Sequence, residues 1–224
     1  EDPVFPGSTT DPETLGWITV HIGASDVAVT GIAPRFMTYS LLLPPGTPED
    51  YTEVLVKSIS DAARELGIAL VGGHTGYYAA VTMPAIGGIT VWGFSSEVVT
   101  AAGAQPGDKV IITKGAAVEA AAILACEREA WLKARGVEPA LLERAKARIR
   151  EMSVVKEALA AKAAGGVHAM HDATEGGVAR GLWEVAEASG VGLRIHKERI
   201  PVPADIAAVC DALGLNPLEV ISEG

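Results

Sequence analysis

A run of polar side chains ending in two glycines occupies positions 171–177. It contains His171, Asp172, Thr174 and Glu175, and Gly176-Gly177 closes it where a helical pattern starts. Backbone N–H groups at a helix start, with no side chains in the way, favour an anion such as phosphate. The neighbouring polar side chains can bind a metal or position a reactant.

The same run also fits a capped helix. Thr174 would be the N-cap, Glu175 would lie in the first turn, and the glycines would allow tight packing. Two adjacent glycines in a first helical turn cost about 2 kcal/mol relative to alanine, so we expect something to approach the backbone closely there. The residues alone leave both interpretations open.

A second glycine-rich segment, Gly72-Gly73-His74-Thr75-Gly76, follows the apolar run 68–71. We expect a buried strand that ends in a loop, and such strand ends present backbone N–H groups to a ligand. A single histidine is more often a hydrogen-bonded core residue, and we assign His21 and His196 to that class. His74 stays a candidate because of the glycines around it.

Two aspartates complete the set of chemical groups. Asp26 lies about 60° from the middle of the apolar stripe of the first predicted helix. A carboxylate there is costly unless a cation, a metal or backbone donors pair with it, and a salt bridge is the simplest alternative. Asp2 stands before Pro3 in a proline-rich lead, where a turn residue is the simplest interpretation.

Glycine-bearing strand ends, histidines and scattered aspartates together favour a divalent cation that carries an anionic ligand. Mg²⁺ suits carboxylates and phosphate oxygens, so the pattern points to ATP chemistry. The chain has no Gly-x-x-x-x-Gly-Lys-Ser/Thr, no Gly-x-Gly-x-x-Gly and no Gly-x-Ser-x-Gly. It is therefore not a P-loop protein, and neither a dinucleotide fingerprint nor a serine-hydrolase motif is present.

Composition narrows the classes further. The 224 residues are 49% hydrophobic and 21% charged, as in ordinary globular proteins. A net charge of −10 argues against nucleic-acid binding. No apolar run reaches the length of about 18 residues that a membrane helix needs. Two distant cysteines indicate no disulfide framework and a cytoplasmic protein. We also expect a fragment that lacks both ends of a longer protein.

Helices and strands must position these groups, and hydrophobic patterns together with alanine-rich segments predict both in each half. In the first half it predicts helices over 12–30 and after Thr47, and strands over 35–43, 68–71 and 81–94. In the second half it predicts strands over 109–113, 167–170 and 191–196, and helices over 116–133, 139–150, 154–164, 174–189 and 204–213. A break near 100–107 separates the halves. We therefore expect an α+β domain over 1–102 and an α/β domain over 103–224.

The same segments resemble a known superfamily, that of aminoimidazole ribonucleotide synthetase, selenophosphate synthetase, thiamine-monophosphate kinase and the hydrogenase-maturation protein HypE. The match is ordered along nearly the whole chain. The segments that carry it are Asp2-Pro3, 24–34 (ASDVAVTGIAP), 71–75 (VGGHT), 107–113 (GDKVIIT), 171–177 (HDATEGG), 215–218 (LNPL) and 222–224 (SEG).

The resemblance implies an N-terminal synthetase-type domain that binds ATP and forms a homodimer, followed by an α/β C-terminal domain. Asp2 and Asp26 would bind Mg²⁺, and Gly72, Gly73, His74 and Thr75 would line the nucleotide. Thr174, Gly176 and Gly177 would face the phosphates, with His171 and Asp172 in the catalytic role. The acceptor would be an amide or carbamoyl oxygen of a small molecule or of a protein tail, and a partner protein of a maturation complex is also implied.

Some positions depart from the pattern of the superfamily. Ser25 replaces the usual Asn before Asp26, Ala173 replaces a Pro, and Gly76 stands where HypE-like proteins often carry an acid. HypE carries its substrate on a terminal cysteine, and neither Cys126 nor Cys210 lies at a terminus.

Our hypothesis is an ATP- and Mg²⁺-dependent phosphoryl-transfer enzyme of the HypE-like type. The alternatives are a non-catalytic nucleotide-binding scaffold in a maturation complex, which Ser25 and Gly76 favour, and a synthetase of the purine-biosynthesis type. Metal-dependent hydrolysis through His171 and Asp172 is a weaker alternative because it leaves the paired glycines unexplained.

Overall fold

The computed structural model describes residues 2–4 and 11–224, which form two compact units. The N-terminal unit contains the described residues up to Ala28 together with Ile32–Ser96. The C-terminal unit contains Val29–Gly31 and Glu97–Gly224. Within the described residues, no helix is long and apolar enough to span a membrane.

The N-terminal unit is a four-stranded sheet with two helices. Its elements are β1 (Asp2–Val4), α1 (Pro12–Ala28), β2 (Phe36–Leu43), α2 (Glu49–Glu65), β3 (Ala69–Tyr77) and β4 (Ala85–Trp92). The strand order is β1-β4-β2-β3. β2 and β3 are parallel because α2 returns the chain between them, and the other pairs are antiparallel.

Both helices pack on one side of this sheet. A Cβ atom on Gly16 of α1 would lie 2.8 Å from the Leu55 carbonyl oxygen of α2, and one on Gly23 would lie 2.7 Å from Ile89 Cδ1 of β4. Glycine at these two positions therefore lets α1 approach α2 and β4 closely. α1 is buried around most of its circumference, as expected of a helix that is apolar on all sides.

The side chains of β2 show which face of the sheet the helices cover. Met37, Leu41 and Leu43 are fully buried, whereas the alternating residues Thr38 and Ser40 are only half-buried. Successive side chains of a strand point to opposite faces. We call the side of Met37, Leu41 and Leu43 the helix face and the side of Thr38 and Ser40 the open face.

The C-terminal unit is built from helices joined by 3₁₀ turns and irregular segments. Its helices are α3 (Val118–Glu127), α4 (Glu129–Ala134), α5 (Pro139–Ala147), α6 (Val155–Ala164), α7 (Gly177–Ser189) and α8 (Ala204–Leu213). The core includes Val118, Leu132, Leu142, Ile206 and Val209. The almost fully buried Asp205 of α8 accepts a bidentate ion pair from Arg148, which ties α8 to the end of α5.

Several predicted elements differ from the structure. Segments 109–113, 167–170 and 191–196, predicted as strands, form no strand, and the only sheet of the described residues lies in the N-terminal unit. Apolar composition does not make a strand without a neighbour for its ladder, and Ile111 is 86% exposed. The predicted helix 116–133 is also divided, because Arg128 between α3 and α4 leaves helical geometry at φ −122°.

Candidate functional site

Asp2 and Asp26, the predicted metal ligands, lie on the same side of the sheet. Asp2 is the register partner of Ile89 on the neighbouring strand β4. Opposite residues of an antiparallel pair share a face, and the Ile89 side chain contacts α1 at Gly23. The Asp2 side chain therefore lies on the helix face, and Asp26 follows Gly23 one turn later on α1.

The position of Asp26 in its helix gives it an electrostatic property of its own. It lies in the last turn of α1, where there is no basic residue, and it is half-buried. The carbonyl end of a helix carries partial negative charge, so a carboxylate there is unfavourable by about 0.3–1 kcal/mol. A cation bound by Asp26 would interact favourably with the same helix end.

The segment Gly72–Thr75 lies inside β3, and the prediction of a loop after residue 71 is wrong. The strand continues to Tyr77 and pairs with β2 along its length. Gly73 has φ +147°, and a Cβ atom there would overlap the Tyr39 carbonyl oxygen of β2. Its glycine is thus explained by close strand pairing.

His74 has a partner that the sequence did not suggest. Its Nε2 lies 2.5 Å from the hydroxyl of Tyr78, so the ring bonds to a residue just past the end of β3. A Cβ atom on Gly76 would lie 2.7–2.9 Å from the Tyr78 ring. The absence of a side chain at Gly76 therefore gives Tyr78 room to fold back onto His74.

The sheet separates His74 from the aspartate on β1. His74 pairs with Ser40 and so lies on the open face, whereas Asp2 lies on the helix face. β1 and β3 are the two edges of the sheet, three strand spacings or about 14 Å apart. Within one copy of the N-terminal unit, the strand-borne candidates do not converge.

The turn before α7 is built differently from the predicted capped helix. α7 begins at Gly177, and its N-cap is Gly176 at φ 81°, so Thr174 is not the N-cap. The Thr174 carbonyl oxygen instead accepts a hydrogen bond from the Gly177 N–H. Both glycines have left-handed conformations that other residues rarely adopt.

Part of the hydrogen-bonding capacity of this helix start is already used. The Ala179 N–H donates to the Leu218 carbonyl oxygen at 2.8 Å, in addition to the bond from Gly177 to Thr174. A Cβ atom on Gly177 would lie 2.8 Å from that same Leu218 oxygen. The N–H groups of Gly177 and Ala179 therefore already have partners within the protein, and glycine at 177 allows close packing against Leu218.

A C-terminal segment, 218–223, positions the turn. The N–H groups of Ser222 and Glu223 both donate to the Ala173 carbonyl oxygen, at 2.9 and 3.0 Å. The Ser222 hydroxyl accepts a bond from the Ala117 N–H just before α3. Segment 218–223 therefore links the starts of α3 and α7, a role for which periodicity gave no signal.

His171 lies between two carboxylates. Its Nε2 is 2.8 Å from Glu184 Oε2 of α7, and its Nδ1 is 3.4 Å from Asp172 Oδ1. The hydrogen bond to Asp172 and the further negative charge of Glu184 outweigh partial burial and raise the pKa of His171 to about 9. The structure thus brings His171 and Asp172 together and adds Glu184, which sequence reasoning missed.

Glu119 in the first turn of α3 is a second group that sequence reasoning did not single out. Burial, and then the negative charge of Glu175, raise the pKa of Glu119 to about 7. This carboxyl can exchange a proton near neutral pH. In the described part of the chain, no three His, Cys, Asp or Glu residues are grouped so as to hold a metal ion.

The sequence is similar to those of known proteins. The chain is 31% identical to carbamoyl dehydratase HypE of Cupriavidus necator, over 98% of this chain and 59% of that protein. It is 29% identical to thiamine-monophosphate kinase of Pyrococcus horikoshii, over 88% of this chain and 59% of that protein. The chain thus spans about three-fifths of the length of these relatives.

Solved structures show the same architecture. E. coli HypE superposes with a TM-score of 0.82 at 26% identity, over 99% of this chain and 67% of that one. HypE in complex with ATP superposes with a TM-score of 0.75 at 24% identity, over 100% of this chain and 65% of that one, and shares the fold.

Two family models account for nearly all of the sequence. Residues 1–94 match the N-terminal domain of AIR synthase related proteins, and residues 105–224 match the C-terminal domain. The chain therefore belongs to the AIR synthase related protein family.

Proposed function

We propose that this protein is an ATP- and Mg²⁺-dependent phosphoryl-transfer enzyme of the HypE type that acts on an amide or carbamoyl oxygen. The observation that carries the proposal is the placement of Asp2 and Asp26 on the helix face of one sheet, within a fold whose relatives include carbamoyl dehydratase HypE and thiamine-monophosphate kinase. Both relatives bear names of enzymes, and a protein of this fold has been solved in complex with ATP.

The donor set suits Mg²⁺. This ion commonly takes one or two carboxylates and completes its shell with water and substrate phosphates, so two aspartates suffice. Asp2 and Asp26 would hold the ion, which would neutralise charge on the phosphates. The location of Asp26 at the carbonyl end of α1 makes a cation there favourable.

The remaining candidate residues would bind and orient the nucleotide. Gly72, Gly73, His74 and Thr75 would line it from β3, with the His74 ring held by the Tyr78 hydroxyl. In the C-terminal unit, Thr174, Gly176 and Gly177 would face phosphate oxygens, and His171 and Asp172 would take the catalytic role. Phosphoryl transfer needs mainly positioning and charge stabilisation, and a protonated His171 would hold the Asp172 carboxylate in a fixed orientation.

The acceptor would be a carbamoyl or amide group on a small molecule or on a protein tail. Transfer of the γ-phosphoryl group to its oxygen would release ADP and turn that oxygen into a leaving group. The name carbamoyl dehydratase describes loss of water from a carbamoyl group, and prior phosphorylation of the oxygen would make that loss feasible.

We further propose that the protein works as a homodimer. β3 is an edge strand of the sheet, and its residues Leu70, Val71 and Tyr77 are exposed at 37%, 53% and 52%. An exposed edge with apolar side chains beside an uncovered sheet face is suited to pairing with a second copy. A partner protein of a maturation complex is also proposed, since one solved relative is a HypE–HypF complex.

A second candidate function is a nucleotide-binding scaffold without turnover. It is favoured by one observation, the occupation of the space beside Gly76 by the Tyr78 ring at a position where HypE-like proteins often carry an acid. If that acid is needed for turnover, this chain would bind ATP and stop there.

ADP release separates the two functions. The protein is incubated with ATP, Mg²⁺ and either a carbamoylated thiol peptide or a primary carboxamide, and ADP is measured beside calorimetric ATP binding. We expect acceptor-dependent ADP release that Asp172→Asn reduces and Glu53→Gln, at an exposed position of α2, leaves unchanged. Binding without ADP release would support the scaffold, and no ATP binding would contradict both functions.

A further inference from the structure

The ring of His171 has carboxylate oxygens at both of its nitrogen atoms. Glu184 Oε2 lies 2.8 Å from Nε2, and Asp172 Oδ1 lies 3.4 Å from Nδ1. An ionised carboxylate can only accept hydrogen bonds, so both contacts are satisfied together only when both ring nitrogens carry a proton. In this arrangement His171 is an imidazolium and has no lone pair with which to take a proton from a substrate.

Glu184 is itself held in place from the other side. Its second oxygen, Oε1, accepts a hydrogen bond of 2.8 Å from Arg180 Nε, one turn earlier on α7. The Arg180 guanidinium lies 4.9 Å from the centre of the Trp183 ring, which helps to fix its direction. Glu184 therefore links a helix that begins at the glycine turn to the first residue of the 171–177 run.

We propose that Glu184 is a positioning residue that holds the His171 ring in a fixed direction, so that His171 stays an imidazolium that orients Asp172 and does not act as a proton acceptor. The inference rests on the proposed phosphoryl-transfer function for the role of the cation, and on geometry alone for the contact. It assigns a function to a residue outside the 171–177 run.

The charged groups that face His171 are Asp172 from its own segment and Glu184 from α7, with Arg180 behind Glu184. Removal of the charge of Glu184 leaves Asp172 as the one carboxylate among these groups. An opposite charge within about 4–6 Å shifts a pKa by roughly 1–3 units, so the change is large enough to observe.

Histidine NMR titration tests the contact directly. The ring protons of His171 are followed from pH 5 to about pH 10 in the full chain, in Glu184→Gln and in Glu198→Gln, with His171→Asn to assign the resonance. Glu198 is the matched control because it lies 3.5 Å from the exposed ring of His196. We expect Glu184→Gln to lower the midpoint of His171 by about one pH unit or more. Glu198→Gln should leave the titration midpoint of His171 unchanged. If Glu184→Gln also leaves the His171 midpoint unchanged, the proposal is overturned.

The pH profile of ATP turnover gives a second readout. If His171 must be protonated for activity, turnover falls at high pH as His171 loses its proton, which gives the pH profile an alkaline limb. Glu184→Gln should move this limb to lower pH by as much as it moves the NMR titration midpoint of His171. Glu184→Asp, which keeps the charge but shortens the side chain, should move the limb less and serves if Glu184→Gln does not fold. A limb that stays in place while the NMR midpoint moves would overturn the cationic role. Absence of turnover in the unmodified protein would instead contradict the proposed function. The NMR titration would still decide whether Glu184 holds His171.

Discussion

At the scale of single residues, Gly76 and Tyr78 act as a pair. Tyr78 folds back over the position where Gly76 lacks a side chain, and its hydroxyl reaches His74. The clash that a Cβ atom would create involves only the end of the Tyr78 side chain, which can move. A substitution at Gly76 should therefore free His74 with little cost to stability.

Gly76→Ala and Tyr78→Phe should have the same effect on His74, because each removes the same hydrogen bond. We expect both to shift the His74 Nε2 resonance alike, the double variant to add nothing, and the free energy of unfolding to change by less than about 1 kcal/mol. The measurement is ¹⁵N NMR of the ring with urea unfolding alongside. Gly192→Ala, where a Cβ atom meets nothing within 4 Å, is the control. Additive shifts would show that the tyrosine ring stays in place.

The sequence singles out His74 as a candidate but does not indicate its partner, Tyr78. From the sequence alone, Gly76 indicates the loss of an acid, since a sequence pattern only compares each position with its expected residue. The contact with Tyr78 depends on how the chain turns at the end of β3. The sequence does not indicate Glu184 for a related reason. It is 13 residues from His171, and the turn before α7 brings the two side chains together.

At the scale of elements, the start of α7 depends on the packing of segment 218–223. Gly177 is enclosed by the carbonyl oxygens of Leu218 and Val220, and the Ala179 N–H donates to Leu218. Gly190 at the other end of the same helix has a similar φ of +64°, but nothing lies within 4 Å of its Cβ position. The two glycines thus share a backbone conformation and differ in their surroundings.

Gly177→Ala should be clearly more destabilising than Gly190→Ala. Left-handed backbone costs a non-glycine residue about 1–2 kcal/mol, which applies to both variants. Overlap with two backbone carbonyl groups should add about 1–3 kcal/mol to the cost of Gly177→Ala alone. Urea unfolding of the two variants checks the difference, and equal losses of stability would contradict the packing role of Gly177.

Periodicity predicted the helices better than the strands. α2 and α8 follow apolar stripes and α6 is rich in alanine, and these signals are local in sequence, so the positions of the helices can be predicted without the fold. A strand needs a partner that sequence does not specify, and the three strands predicted in the C-terminal unit have none in the described part of the chain. The glycines of β3 predict a loop when the partner strand is unknown, but parallel pairing with β2 keeps them in the sheet.

At the scale of the whole molecule, the N-terminal sheet has one covered and one uncovered face. The helix face buries Met37, Leu41 and Leu43, whereas His74 and its row partner Ser40 lie on the open face beside an exposed edge. The strand-borne candidate residues do not meet within one copy. The proposed homodimer would cover the open face, since a symmetric contact places the same surface of each copy against the other.

Val71→Glu should dissociate the proposed dimer. Val71 is 53% exposed on β3, and a charge at the centre of an apolar interface is costly. Val54→Glu is the matched control, since Val54 is 43% exposed on α2. Sedimentation velocity should show a dimer for the unmodified chain and for Val54→Glu, and a monomer for Val71→Glu. A monomeric unmodified chain would contradict the proposal.

Calorimetric titration of ATP with and without Mg²⁺ tests most directly whether paired carboxylates bind the ion that carries the nucleotide. The chain and its Asp26→Asn variant are compared, with Glu53→Gln as an exposed control and circular dichroism to confirm the fold. We predict Mg²⁺-dependent binding to the unmodified chain and to Glu53→Gln, and loss of binding in a folded Asp26→Asn variant, since a neutral amide no longer offsets the charge of the ion. Equal Mg²⁺-dependent affinity for Asp26→Asn and the unmodified chain would contradict the account.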